Sequence, residues 1–424
     1  MDDFHLKDGE LHCEDVRLSD IAERVGTPVY VYSTATMCGQ AAAFRKALAP
    51  LADPLIAYAV KANPNSAVIA TLARAGLGAD VVSGGEYRCA EAAGVLCDKI
   101  VFSGVGKTEA EMRLALAGSL YQFNLESLSE AEMLSAIATS IGRLAPVGFR
   151  LNPDVAAGGH AKITTGSAEN KFGIAIGEAL DAYESAARLP GLQLQGIAVH
   201  IGSQLTSLDP LERAFTRVGE LIGALRDAGH DIRVADLGGG LGVPYNPDDR
   251  PPPSLGDYGT MVHRLTDGWN VRLVFEPGRL IVGNAGVLLS RVIRVKSGAN
   301  HPFVVLDAGM NDLIRPTLYD AWHAIDAVRP SGERWVANVV GPLCETGDTF
   351  ASAREMDRIE AGDFVVVRTA GAYGAAMSGT YNSRPLAPEV LVDGSRWAVV
   401  RPRMEVEQDS LPDWLAGCTG SSSS

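Results

Sequence analysis

The sequence predicts an α/β fold: a (β/α)8 barrel of the TIM type, with a mostly β second domain built from both chain ends. Three observations predict it. Eight apolar, β-rich runs alternate with helical patterns between residues 55 and 275, as parallel strands joined by crossover helices do. The span 34–283 that holds them is close to the roughly 250 residues of such a barrel. After about residue 284 the texture changes to strands separated by turns, with few helical stretches between them.

In chain order, barrel strands are expected near 55–60, 79–82, 100–102, 120–124, 147–151, 196–201, 233–237 and 271–275. Helical patterns run from Ser66 to Ala75, Gly85 to Ala93, Glu109 to Ala117, Ser129 to Ile141, Glu178 to Ala187 and Leu211 to Ala228. In the second domain, Val287 to Val295, Phe303 to Asp307, Val336 to Val340, Phe364 to Arg368 and Trp397 to Arg401 read as strands. Val29-Tyr30-Val31-Tyr32 is a further strand ahead of the barrel and is expected to join them, so residues 1–33 and 284–424 form one domain. Two long loops, Asn152 to Gly173 and Pro244 to Tyr258, are of the kind that often carries function. The Gly/Ser-only tail from Gly420 to Ser424 is expected to be disordered.

Composition narrows the function. The chain has 424 residues, 46% of them hydrophobic, with a formal charge of −14. That acidic balance argues against a nucleic-acid or anionic-membrane surface and suits a small-molecule enzyme. No run approaches the roughly 18 apolar residues of a membrane span. The start, Met1-Asp2-Asp3-Phe4-His5, lacks the basic and apolar regions of a signal peptide, so a cytoplasmic location is expected. Six cysteines (Cys13, Cys38, Cys89, Cys97, Cys344 and Cys418) form no C-x-x-C pair, and the eight histidines show no metal-ligand spacing, so neither a metal site nor a disulfide framework is expected.

The chemistry collects at strand ends, where barrel active sites lie. Lys61 follows the apolar run Leu55 to Val60. Alone, a strand-end lysine more often snorkels to solvent. Burial would lower its pKa and make the amine a nucleophile or Schiff-base partner. Other expected strand ends carry Asp80 with Ser83 and Glu86, Arg150 with Asn152, His200 with Ser203, Gly238-Gly239-Gly240, and Glu276 with Arg279. The glycine run after the seventh strand can cradle a phosphate with backbone N–H groups, although a tight turn would also need glycine. Glu276, in Glu276-Pro277-Gly278-Arg279, can hold a protonated ring nitrogen while Gly278 and Arg279 reach an anion; a rim Glu–Arg pair is the plainer alternative. His200 can stack on an aromatic ring, or be a hydrogen-bonded core residue. A lysine, a ring-nitrogen partner, a phosphate cradle and a stacking group together describe pyridoxal 5'-phosphate better than any other cofactor. In the second domain, Cys344-Glu345 can supply a thiol acid and a carboxylate for an amine, although a loop with a buried thiol is the commoner case for an isolated cysteine. Arg315 and Tyr319 can bind a carboxylate, a plain surface Arg–Tyr pair being the alternative, and Tyr373 offers a hydroxyl.

These motifs together resemble the barrel-type (fold type III) pyridoxal-phosphate-dependent decarboxylases and, within them, the diaminopimelate decarboxylases. The matching stretches are Tyr58 to Asn63, His200-Ile201-Gly202-Ser203, Gly238 to Gly242, Glu276 to Arg279, Cys344 to Asp348, and Gly371-Ala372-Tyr373-Gly374, in the family's order between about Val16 and Pro402. The resemblance implies that Lys61 carries the cofactor, His200 stacks on its ring and Glu276 holds the pyridine nitrogen. Ser203, Gly238, Gly239, Gly240, Gly278, Arg279 and Tyr373 would serve its phosphate or surroundings. Arg279, Arg315, Tyr319, Glu345 and Tyr373 would contact substrate, and Cys344 would be the proton donor. It further implies a homodimer with shared active sites, Cys344 and Glu345 coming from the partner subunit, and conversion of meso-2,6-diaminopimelate to L-lysine and CO2. The rivals are a decarboxylase of ornithine, lysine or arginine, in which Asp tends to follow the Cys; a racemase, which would leave Cys344-Glu345 unexplained; and a non-catalytic regulatory homologue, which would be expected to lose Lys61 or Cys344.

Overall fold

A computed structural model describes residues 2–156, 171–248 and 251–406. Eight parallel strands close a barrel: Leu55–Ala59, Gly78–Val81, Ile100–Phe102, Gln122–Leu125, Ala145–Asn152, Leu192–Val199, Val234–Asp236 and Arg272–Phe275, the last pairing back to the first. We number them barrel strands one to eight. All eight lie where the apolar runs place them. The first shows why: every residue of Leu55–Ala59 is buried, as expected of a strand covered on both faces. Its residues alternate. Leu55 and Ala57 point into the barrel with Val101, Val234 and Val274, while Ile56 and Tyr58 pack outward into the large core under the helices. Above this apolar plug the interior turns polar. Gln122 lies under Asn124 and donates to its Oδ1 at 2.9 Å; strand six passes so close that a Cβ on Gly196 would sit 2.3 Å from the Gln122 oxygen.

The six expected helices are present within two residues at either end. Their starts follow ordinary capping chemistry: Ser83 accepts from Glu86 N–H, and Thr108 with Glu111 forms a reciprocal box. Several helices are additional to the sequence reading. Thr34–Ala47 is alanine-rich and buries only Thr36, Met37, Ala41 and Phe44, so its periodicity is faint. Leu255–Thr266 starts on the Ser254 cap, inside the segment read as a proline-rich loop. The expected loop Asn152 to Gly173 lies largely outside the described residues, as does the Gly420 to Ser424 tail.

The second sheet is built around Gly286–Lys296, which pairs with Val29–Ser33, Phe303–Leu306 and Phe364–Val367. Val29–Ser33 therefore sits in this sheet, between Gly286–Lys296 and Glu389–Asp393. Among the described residues, six strands of this domain were not anticipated: Thr349–Asp357, Glu389–Asp393, Ile325–Ala327 and the N-terminal Phe4–Lys7, Glu10–Cys13 and Val16–Arg17. The first is half exposed and rich in charge, so it lacks an apolar run. The two units are tied beside the barrel mouth: Tyr373 N–H donates to Ala62 O at 2.8 Å and Asn63 Nδ2 to Gly371 O at 3.1 Å. No helix among the described residues is long and apolar enough to cross a membrane, and no group of three or more His, Cys, Asp or Glu among them could hold a metal ion.

Candidate active site

Barrel strand one runs directly into a 3-10 turn, Val60–Ala62, which swings Lys61 over the barrel mouth. Its Nζ donates to Asp80 Oδ2 at 2.7 Å; Asp80 is fully buried near the end of strand two. Burial alone pulls the Lys61 ammonium down, but the Asp80 carboxylate beside it outweighs that, so the net shift is upward. This corrects the sequence expectation of a depressed lysine. The strand next door supplies a counter-charge that single-strand reasoning does not see.

Glu276 follows strand eight and is buried opposite. Ser103 Oγ donates to its Oε1 at 3.2 Å, and Asn124 Nδ2 lies 3.5 Å from the same atom. Asn124 Nδ2 also donates to Asp236 Oδ2 at 2.8 Å, and Asp236 hydrogen-bonds Glu276 directly. Burial, the Asp236 charge and the Asp80 charge all push the Glu276 carboxyl well above the usual carboxylate range. Of the pair, Glu276 holds the proton and donates it to Asp236.

His200 and the glycine run form the opposite wall. Gly239 N–H donates to His200 Nδ1 at 3.2 Å, which fixes Nδ1 as an acceptor, and burial holds the ring neutral by pushing its pKa well down. Gly240 has φ +109°, and a Cβ there would sit 2.5 Å from Gly202 O, so only glycine lets the chain pass. Arg279 Nη2 donates to Ser203 Oγ at 3.2 Å, and its guanidinium lies 4.7 Å from the Tyr373 ring centre. Lys61, His200, Ser203, Gly238, Gly239, Gly240, Glu276, Gly278, Arg279 and Tyr373 all line one cavity. A second cavity shares Lys61, His200 and Glu276 and continues over Asn124, Arg150 and Asp236. These residues fit pyridoxal 5'-phosphate. A hydroxyl, a backbone run and a buried guanidinium offer an anion site at one end; a protonated carboxyl and Asp80, whose Oδ1 is buried without a partner, lie at the other.

Beyond Arg279 lies a second guanidinium. Arg315 is buried at the start of the short helix Arg315–Tyr319. Tyr245 bridges the two: its hydroxyl accepts from Arg279 Nη1 at 2.5 Å, and its ring centre lies 4.4 Å from the Arg315 guanidinium. Tyr319, at the other end of that helix, is half-buried. Cys344 and Glu345 are not gathered into this cluster. They are exposed on the loop before Thr349–Asp357, where Tyr381 Oη donates to Glu345 Oε1 at 2.5 Å.

Four other strand-end residues have structural tasks. Ser83 caps a helix, and the Glu86 carboxylate accepts from Val82 N–H at 2.9 Å, with burial raising its pKa to about 6. Asn152 Oδ1 accepts from Asp154 N–H. Arg150 pairs with Glu126 at 2.9 Å while lining the second cavity. Sequence reasoning missed Ser103, Asn124, Asp236, Tyr245 and His323. Asp236 had a visible signal, a carboxylate at the end of an apolar strand two residues before the glycine run.

The chain is similar to known proteins over nearly its full length. Residues 35–283 match the family described as pyridoxal-dependent decarboxylase, pyridoxal binding domain. A diaminopimelate decarboxylase of Zymomonas mobilis is 55% identical, covering 97% of this chain and 99% of that protein. Among solved structures, the diaminopimelate decarboxylase of M. jannaschii in complex with L-lysine has a TM-score of 0.91 at 35% identity, covering 95% of each chain. That of Helicobacter pylori, also complexed with L-lysine, has a TM-score of 0.88 at 37% identity, covering 91% of this chain and 96% of that one.

Proposed function

This chain belongs to the pyridoxal-dependent decarboxylases and, within them, to the diaminopimelate decarboxylases, and from that membership we propose how its residues divide the reaction. It is a carboxy-lyase that uses pyridoxal 5'-phosphate to convert meso-2,6-diaminopimelate to L-lysine and CO2, the last step of lysine biosynthesis. When bound, the cofactor supplies an electron sink for the pair left behind as CO2 departs.

The chain's own groups do the rest. Lys61 holds the cofactor through its amine, and the neutral His200 ring packs against it. Glu276, already the proton-bearing member of its carboxyl pair, keeps the pyridine nitrogen protonated. Ser203, Gly238, Gly239, Gly240, Gly278, Arg279 and Tyr373 receive the phosphate or border it. Arg279 and Arg315, with Tyr319 and Tyr373, take the carboxylate at the far end of the substrate, and Glu345 takes the far ammonium. The Cys344 thiol delivers a proton to the carbon that loses CO2. Cys344 and Glu345 act from a partner subunit, so the working form is a homodimer; both are exposed and neither lines the Lys61 cavity in one chain, which favours this. The domain boundaries fall at 34 and 284, and the enzyme works in the cytoplasm.

One observation carries the site reading: Lys61, Glu276, the glycine run and Arg279 line a single cavity, with Arg315 next to Arg279 across Tyr245. The test is CO2 release from meso-diaminopimelate, lysine, ornithine and arginine side by side. Lysine and ornithine leave the two arginines without their anion, and a polar site left unfilled discriminates by about 10³-fold or more in kcat/KM. Comparable turnover of lysine or ornithine would overturn the substrate assignment.

A further inference from the structure

Two guanidiniums held close together repel, and each long side chain loses rotamer freedom when fixed. Arg279 and Arg315 are 7% and 6% exposed, and both guanidiniums lie against the Tyr245 ring. Something must hold them as a fork. Tyr245 does so between them, accepting from Arg279 Nη1 at 2.5 Å with its ring against Arg315. His323 does so behind. Its Nδ1 donates to Arg368 O at 2.7 Å, which leaves Nε2 with a lone pair to accept from Arg315 Nη1 at 2.8 Å. The two rings meet edge-on at 5.2 Å. His323 is 1% exposed; burial and the Arg315 charge lower its pKa to about 3, so this acceptor survives at any working pH. A continuous run therefore links Ser203, in the cavity wall, through Arg279, Tyr245, Arg315 and His323 to the backbone after strand Phe364–Val367. Neither Tyr245 nor His323 is among the residues lining the Lys61 cavity.

We propose that Tyr245 and His323 are positioning residues that set specificity for the far carboxylate, by spacing and aiming the Arg279 and Arg315 guanidiniums so that both receive it. This rests on the reading of Arg279 and Arg315 as its receivers.

The reaction itself supplies the probes. Loss of CO2 from one end of meso-diaminopimelate leaves L-lysine, whose carboxylate belongs to the unreacted end. The compound 1,5-diaminopentane has the same skeleton and no carboxylate. Both are titrated calorimetrically into holoenzyme. In His323→Phe, the acceptor for Arg315 is gone and L-lysine should bind about 10-fold or more weakly, the scale of one charge-assisted hydrogen bond, while 1,5-diaminopentane is unchanged within about twofold. His323→Gln can still accept from Arg315 and donate to Arg368 O, and should bind L-lysine within about threefold of the unmodified enzyme. Tyr245→Phe keeps the ring and removes the hydroxyl; L-lysine should again weaken selectively, by about fivefold. If His323→Phe does not fold, Tyr245→Phe decides alone. KM for meso-diaminopimelate should rise in both Phe variants more than kcat falls. Arg315→Ala serves as the reference. If it weakens L-lysine selectively while the Phe variants weaken both ligands alike, or neither, the positioning role is wrong and the arginine reading stands. If Arg315→Ala leaves L-lysine binding unchanged, the arginine reading itself falls.

Discussion

Replacing Asp80 by Asn should release the proton that Lys61 holds. Lys61 Nζ sits 2.7 Å from Asp80 Oδ2, and that carboxylate is fully buried. Unit charges at this separation attract by about 6 kcal/mol at an effective dielectric near 20. The Lys61 side chain is 35% exposed, so solvent screens the pair. About half that figure, ~3 kcal/mol, is a reasonable net loss. Each 1.4 kcal/mol or so is tenfold in the ratio of amine to ammonium, so free amine at fixed pH should rise about 100-fold. The direction follows because burial opposes the Lys61 charge and the Asp80 carboxylate restores it; with that carboxylate gone, burial has the larger say. The assay is trace acylation of the cofactor-free protein between pH 7 and 10, with peptide mapping of Lys61. In the unmodified protein Lys61 should label more slowly than exposed lysines. In Asp80→Asn it should label about 100-fold faster at pH 8. Equal labelling in the two proteins would refute the claim that Asp80 holds the Lys61 proton.

Glu276→Gln should leave the cofactor bound but lower kcat by about 10²-fold, since an amide cannot keep the pyridine nitrogen charged; unchanged turnover would rule out that role. His323 bears on acid stability. Its folded pKa, about 3, lies below its unfolded value, so its contribution is complete above about pH 6.5 and declines as pH falls toward 3. Denaturant titrations of the unmodified protein and His323→Gln should differ in slope by about 1.4 kcal/mol per pH unit in that window; parallel acid limbs would contradict a buried neutral ring. Mixing inactive Lys61→Ala with inactive Cys344→Ala should recover part of the activity, because some hybrid sites hold both intact residues; no recovery after demonstrated subunit exchange would count against shared sites.

The barrel was legible because its strands are mostly buried and stand as short, largely apolar runs between helical patterns. Lys61, Glu276, Arg279 and the glycine run were legible because they sit where such runs stop. What stayed hidden depends on neighbours across the barrel. Asp80 was visible as a strand-end acid, but only strand pairing puts it beside Lys61 and reverses the lysine's pKa shift. Asn124 and Ser103 are small polar residues whose value lies in reaching Glu276 from strands three and four. Tyr245 lies in a proline-rich stretch and His323 in an irregular one, and neither has a periodic pattern. Ser83 and Glu86 were over-read: Ser-x-x-Glu is equally a helix-start signature, and that is the task they perform. The relation of Cys344 to Lys61 is invisible in a single chain, because nothing within one copy requires it.

The most direct test is to reduce the cofactor-loaded enzyme with borohydride and map the modified peptide. A mass increase for reduced cofactor on Lys61, with loss of the visible absorption band and of activity, is the expected result. The same modification on a different lysine, or none on a protein that nevertheless releases CO2, would contradict the assignment of the reaction to the lysine at the tip of barrel strand one.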